Sequence, residues 1–174
     1  MIVLFLCTGN SCRSILAEAI FNRLAPEGWR AMSAGSHPQG QVHPQALALL
    51  EGEGIPVGGL YSKSWADLPS VPDVVVTVCD NAAGEVCPVA LLPAVRAHWG
   101  VPDPARATGS PDRIEGVFRS VFRILQMRIE AFLALPLEAL SDPSARGFLK
   151  EELDRIGRLG AEDVSGGPGD PGPR

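Results

Sequence analysis

The chain is predicted to fold as an α/β domain around a small parallel sheet, and three observations predict it. Strand-like and helix-like segments alternate in the order strand, helix, strand, helix, strand. The principal strand candidates, over 1–6 and 72–78, are apolar, largely β-branched runs of the kind that parallel sheets bury on both faces. At 174 residues the chain suits one compact domain whose core needs no staples.

The first strand is carried by Ile2-Val3-Leu4-Phe5-Leu6. Cys7-Thr8-Gly9-Asn10-Ser11-Cys12-Arg13-Ser14 follows as a loop of mostly small residues, and Ser14-Ile15-Leu16-Ala17-Glu18-Ala19-Ile20 opens a helix over 14–24 in helical rhythm. A short strand at 30–33, a helix over 44–53, the strand over 72–78 and another short strand at 95–98 come next. Ser110 offers an N-cap, with Pro111 at the first helical position, where its missing N–H costs nothing. The helix it starts carries Ile114, Val117, Phe118, Val121, Phe122, Leu125, Ile129, Phe132 and Leu133 on one face, and Pro136 stops it. A last helix over 146–159 repeats the pattern with Phe148, Leu149, Leu153 and Ile156. Residues 160–174 are rich in Gly and Pro with hardly any apolar side chains, so the domain is expected to span 1–159, with a disordered tail after it.

The formal net charge is −5 with no basic run, which argues against nucleic acid or an anionic membrane surface as the main partner. The run from Ile2 to Leu6 is too short to span a membrane and lacks the flanks of a secretory signal, so a cytoplasmic protein is expected. In a reducing compartment the four cysteines point to redox chemistry or metal binding before structural disulfides. Zinc is disfavoured, because Cys7 and Cys12 flank the small-residue loop and Cys79 and Cys87 are too far apart for a knuckle.

A strand feeding a tight loop into a helix N-terminus aims backbone N–H groups and the positive end of the helix dipole at one point, where a tetrahedral anion fits. The same field favours thiolate, so Cys7 is expected to have a depressed pKa and to be nucleophilic. Arg13 supplies a planar fork for two oxygens of the anion. A cysteine after a buried strand is ordinarily a small core residue. The C-x5-R-S spacing at a strand-to-helix junction sets this one apart.

Cys7 to Ser14 resembles the phosphate loop of the low-molecular-weight protein tyrosine phosphatase family, and within it the arsenate reductases. Ser33-Ala34-Gly35-Ser36, Ser62-Lys63-Ser64-Trp65, Val78-Cys79-Asp80 and His98-Trp99-Gly100 through Asp103-Pro104 fall in the family's order. The resemblance implies three α/β/α layers with a four-stranded parallel sheet of order 2-1-3-4. Cys7 then ends the first strand and Cys79 the third, at the point where the order reverses. Neighbouring strands lie ~4.8 Å apart, so the two thiols are expected to reach disulfide distance after a modest loop movement.

The resemblance also assigns roles. Thr8, Gly9, Asn10, Ser11, Cys12, Arg13 and Ser14 would bind the oxyanion, with Ser33 supporting the loop and Cys12 serving in packing. Asp103, between Pro102 and Pro104, reads from the dipeptide as a turn and from the family position as the general acid. Cys7, Cys79 and Cys87 would pass a disulfide outward to thioredoxin as electron donor, with no bound cofactor. The spacing of the last two has one more intervening residue than the best-known thioredoxin-coupled pattern. Residues 79–87 are expected to form the most mobile loop of the domain. Asn10, Glu18 and Ser33 match positions that bind potassium in some reductases, while the usual fourth ligand, an acid, has no equivalent near Ser62. Arsenate would be the substrate, phosphate or sulfate could mimic it, and the chain would act as a monomer.

Three other readings compete. A tyrosine phosphatase of this family usually places aromatic residues after the acid, where this chain has Pro104-Ala105-Arg106, and its one tyrosine is Tyr61. A glutathione- and glutaredoxin-coupled reductase would leave Cys87 a spectator. A module that only sequesters oxyanions would make Cys79 and Asp103 superfluous. Glu115, Glu130, Glu151 and Glu152 read as solvated helix faces.

Overall fold

The computed structural model describes residues 1–91 and 93–161. Four strands, β1 (Ile2–Leu6), β2 (Arg30–Ala34), β3 (Val74–Thr77) and β4 (Val95–His98), form one parallel sheet in the order β2-β1-β3-β4. Leu4 of β1 stands between Met32 of β2 and Val75 of β3, and Val75 in turn pairs with Arg96 of β4. The order reverses beside β1, so its carboxyl end and that of β3 open on the same crevice.

Alternation along each strand splits the core in two. Val3, Phe5, Val74 and Val76 face a large cluster completed by α1 (Arg13–Leu24), α2 (Pro44–Gly52), α4 (Pro111–Leu133) and α6 (Arg146–Ile156). Two short helices, α3 (Asp80–Gly84) and α5 (Leu137–Leu140), complete the helical set among the described residues. Phe5, Phe21, Trp99 and Phe132 meet through tilted and edge-on rings at centroid distances of 6.0 to 6.2 Å. Such contacts add to the stabilisation from area burial alone. The opposite face, with Leu4, Leu6, Met32, Ala34 and Val75, is covered more thinly. Trp65, Leu68, Cys87, Leu91 and Ala94 lie over it, on loops and single 3-10 turns.

Local signals set several boundaries. The Ser110 hydroxyl accepts from the Arg113 N–H at 3.2 Å and caps α4, with Pro111 in its first turn. β4 coincides with the expected strand, whereas β3 is shorter than 72–78 because its ends follow its pairing with β1 and β4. α6 stops at Ile156, short of 159. Its Leu149, Leu153 and Ile156 are buried, but Phe148 is 48% exposed and does not belong to the buried face, since it lies about 100° of helical turn from Leu149. The expected loop after Cys79 begins instead as α3, whose five residues are too few for a periodic signal.

Arg128 of α4 is buried and has no carboxylate partner among the described residues. Its Nη1 donates to the carbonyls of Trp99 (2.9 Å) and Gly100 (3.2 Å), and its Nε donates to that of Leu159 (3.0 Å). Burial pulls its pKa down to about 10. The guanidinium thereby ties the chain after β4 to the end of the last helix. No helix among the described residues is long and apolar enough to cross a membrane. The expected tail lies, beyond Ala161, outside the described residues.

Candidate active site

Between β1 and α1 the loop from Cys7 to Cys12 is held from outside by its carbonyl groups. Those of Thr8, Gly9 and Ser11 accept from the amides of His37 (3.0 Å), Gln39 (2.9 Å) and His43 (2.9 Å). A trans peptide points its N–H opposite to its C=O, so the amides of Gly9, Asn10 and Cys12 are turned the other way, to the inside of the loop. The Gly9 amide is near enough to the Cys7 sulfur to favour its thiolate. No side chain caps α1, which leaves the positive end of its dipole to the same space. This is a cradle for an anion, built from backbone.

Its shape depends on two residues behind it. Asn10 takes the left-handed conformation, φ 41°, where asparagine is among the few tolerated non-glycine residues. It is wholly buried, and its Nδ2 donates to the hydroxyls of Ser14 (2.9 Å) and Ser33 (3.0 Å). Its Oδ1 accepts from the Lys63 N–H at 2.8 Å. Gly35 passes so close that a Cβ there would lie 2.8 Å from the Cys7 carbonyl oxygen and 3.0 Å from the Asn10 nitrogen, which explains a glycine after Ser33-Ala34.

Cys7 lies at the cradle floor, 6% exposed, and Cys79, 3% exposed, is already against it. The Cys79 sulfur accepts from the amides of Thr8 and Ala82, each at 3.4 Å, and lies 3.7 Å from the Thr8 hydroxyl. The pair reverses the expected charge distribution. The neighbouring Cys7 thiol, followed by the amides of Ala82 and Thr8, lowers the Cys79 pKa to about 5. Proximity to Cys79, with burial, raises the pKa of Cys7 against the pull of Arg13. The Cys79 sulfur, which accepts from two amides, is thus favoured over Cys7 as the thiolate of the ligand-free pair.

Arg13 spans the mouth of the cradle, its Nη1 donating to the Val101 carbonyl at 3.2 Å and its Nη2 lying 3.6 Å from Asp103 Oδ2. Asp103 is 30% exposed at its side chain, and its Oδ1 accepts from the Ala105 amide at 3.0 Å, capping the turn Pro104–Arg106. It is thus both a turn residue and a carboxyl group facing the loop. Cys12 is buried, and burial followed by the nearby Asp103 charge pushes its pKa up to about 12, leaving an unreactive thiol inside the loop.

Cys87 is half-buried on the thinly covered face of the sheet and lines a separate small cavity with Thr77, Ala82, Arg96 and His98. Three contacts here escape sequence reasoning. Thr8 donates its hydroxyl to Glu85 Oε1 at 3.1 Å, linking the oxyanion loop to the segment between Cys79 and Cys87. His98 is hydrogen-bonded to the Thr77 hydroxyl (2.8 Å) and to Asp80 Oδ1 (3.0 Å), pinning α3 to β4. Lys63, from the Ser-Lys-Ser stretch, is buried beside Glu18. A glutamate near a cysteine and a lysine in a loop carry no pattern that singles them out. Among the described residues no group of three or more His, Cys, Asp or Glu side chains could hold a metal ion.

A model of the low molecular weight phosphotyrosine protein phosphatases matches residues 2–143. Over 132 residues the chain is 38% identical to an arsenate reductase of Halalkalibacterium halodurans and 36% identical to one of Bacillus subtilis. Each alignment covers 75% of this chain and 94% of the relative. Among solved structures, an arsenate reductase in the phosphate-binding state superposes with a TM-score of 0.65 at 29% identity, over 76% of this chain and 96% of that one.

Proposed function

The chain belongs to the low molecular weight phosphotyrosine protein phosphatase family, and on that footing we propose that it reduces arsenate to arsenite with electrons from its own thiols. The observation that carries this reading is the second thiol, because Cys79 bonds the amide of Thr8 and touches Cys7. Hydrolysis of a phosphate ester has no use for a sulfur there.

The reaction begins as the oxyanion enters the cradle and draws Arg13 onto its oxygens. The proton on Cys7 passes to the Cys79 thiolate, freeing Cys7 to attack arsenic while Asp103 protonates the departing water. Arg13 and the loop amides carry the charge of the transition state. Cys79 passes that proton to an oxygen of the departing arsenic group and attacks the Cys7 sulfur. The sulfur–arsenic bond breaks, its electron pair stays on arsenic, and As(V) leaves as As(III) while a Cys7–Cys79 disulfide forms. Cys87 then attacks Cys79, freeing Cys7 and moving the disulfide to Cys79–Cys87, where thioredoxin reduces it. The last exchange requires the segment between Cys79 and Cys87 to leave its present contacts, including Glu85 to Thr8.

The test is arsenate-dependent NADPH consumption with thioredoxin and thioredoxin reductase, for wild type and Cys87→Ser, repeated with glutathione and glutaredoxin. Turnover with thioredoxin that is lost in Cys87→Ser is the expected result. Turnover of the variant with glutaredoxin would make Cys87 a spectator, and none with either reductant would return the phosphatase reading.

A further inference from the structure

The three residues that match a potassium site, Asn10, Glu18 and Ser33, come together behind the oxyanion loop, but their oxygens are already engaged. Asn10 Oδ1 accepts from the Lys63 amide (2.8 Å) and Asn10 Nδ2 donates to Ser33 Oγ (3.0 Å). Ser33 Oγ donates in turn to Glu18 Oε2, and Lys63 Nζ lies 3.7 Å from that same carboxylate oxygen. The four residues close a ring in which Lys63 appears twice, once through its backbone and once through its ammonium group. Lys63 is only 9% exposed. Its ammonium also donates to the Tyr61 carbonyl (3.1 Å) and stands 4.3 Å from the centre of the Tyr61 ring. One carboxylate oxygen, one carbonyl oxygen and one ring face are the surroundings that a monovalent cation would take at this place.

We propose that Lys63 is a tethered internal cation that stands in for a bound potassium ion and fixes the rear of the oxyanion loop through Glu18, Ser33 and Asn10. A buried carboxylate needs a positive partner or a proton. Burial does push the Glu18 pKa up, and the Ser33 hydroxyl and Lys63 oppose it. With the ammonium in place the cluster is neutral, so a further cation would add an unbalanced charge that desolvation resists. The inference does not depend on which oxyanion the loop takes, and its test needs no turnover.

The test is thermal unfolding of the full, reduced chain in potassium, sodium and choline chloride at equal ionic strength. Wild type, Lys63→Ala and the Glu18→Gln/Lys63→Ala double variant are compared. Wild type is expected to melt at one temperature in all three salts. Lys63→Ala should melt lower by on the order of 10 °C in choline chloride and recover in part, saturably, with potassium. The double variant, with no charge to balance, should be indifferent to the cation. Saturable stabilisation of wild type by potassium, or a Lys63→Ala variant indifferent to it, would overturn the proposal. If Lys63→Ala is too unstable to purify, recovery of folding in the double variant supports the proposal, and a double variant that also fails to fold overturns it.

Discussion

Replacing Cys79 by serine tests where the charge of the thiol pair sits, through the pH dependence of stability. In the folded, reduced chain the pair holds a single proton above about pH 5, where Cys79 ionises, and Cys7 keeps that proton beyond its ordinary range. In the unfolded chain both thiols titrate near ~8.5. Between these limits the unfolded state binds one proton more than the folded state, so stability rises with pH by up to about 1.4 kcal/mol per unit. Taken singly, the lowered pKa of Cys79 stabilises the fold above the unfolded value and loses that contribution as pH falls toward 5. The raised pKa of Cys7 stabilises below the unfolded value and loses its contribution as pH rises. The pair is therefore most stabilising near pH ~8.5, and wild type should lose about 2 kcal/mol between pH 8 and pH 6 from this source. Cys79→Ser removes the ionising partner and should flatten that slope. Urea unfolding in excess non-thiol reductant, from pH 5.5 to 9.5, gives the difference between wild type and variant, in which the contributions of all other groups cancel. Parallel curves for the two proteins would refute the assignment of the charge to Cys79.

Three further outcomes follow from the same geometry. Asn10→Ala should destabilise the fold by about 3 kcal/mol in urea unfolding, since it strands three buried hydrogen-bonding groups and keeps a left-handed residue. Arg128→Met should cost about 3 kcal/mol by the same measurement, because three carbonyls lose their donor and a thioether cannot replace it. Arg13→Lys keeps the charge but not the fork, and should lower kcat/KM for arsenate roughly 100-fold with little change in melting temperature.

The elements that the chain announces are those with local signals. α4 starts at the Ser110-Pro111 pair, and β4 occupies the expected four residues. Where a boundary depends on a neighbour, the reading drifts. β3 is trimmed by its pairing with β1 and β4, and Phe148 turns outward because α6 presents Leu149, Leu153 and Ile156 to the core. α3 is invisible beforehand, since its first turn is held by the Cys79 sulfur accepting the Ala82 amide. Nothing local in the sequence marks Arg128 and Lys63 as buried. Their burial rests on carbonyls and a carboxylate delivered from other parts of the chain.

By itself the sequence determines the order of elements and the loop from Cys7 to Ser14. Both are written in contiguous residues, as strand composition, a small-residue turn and a helical period. Which of two thiols carries the charge, and whether a lysine or an ion stands behind the loop, are decided only by the tertiary structure. Cys7 meets Cys79, and Glu18 and Ser33 meet Lys63, across distant parts of the chain. Electrostatic coupling and desolvation depend on those separations in space, which no local pattern encodes.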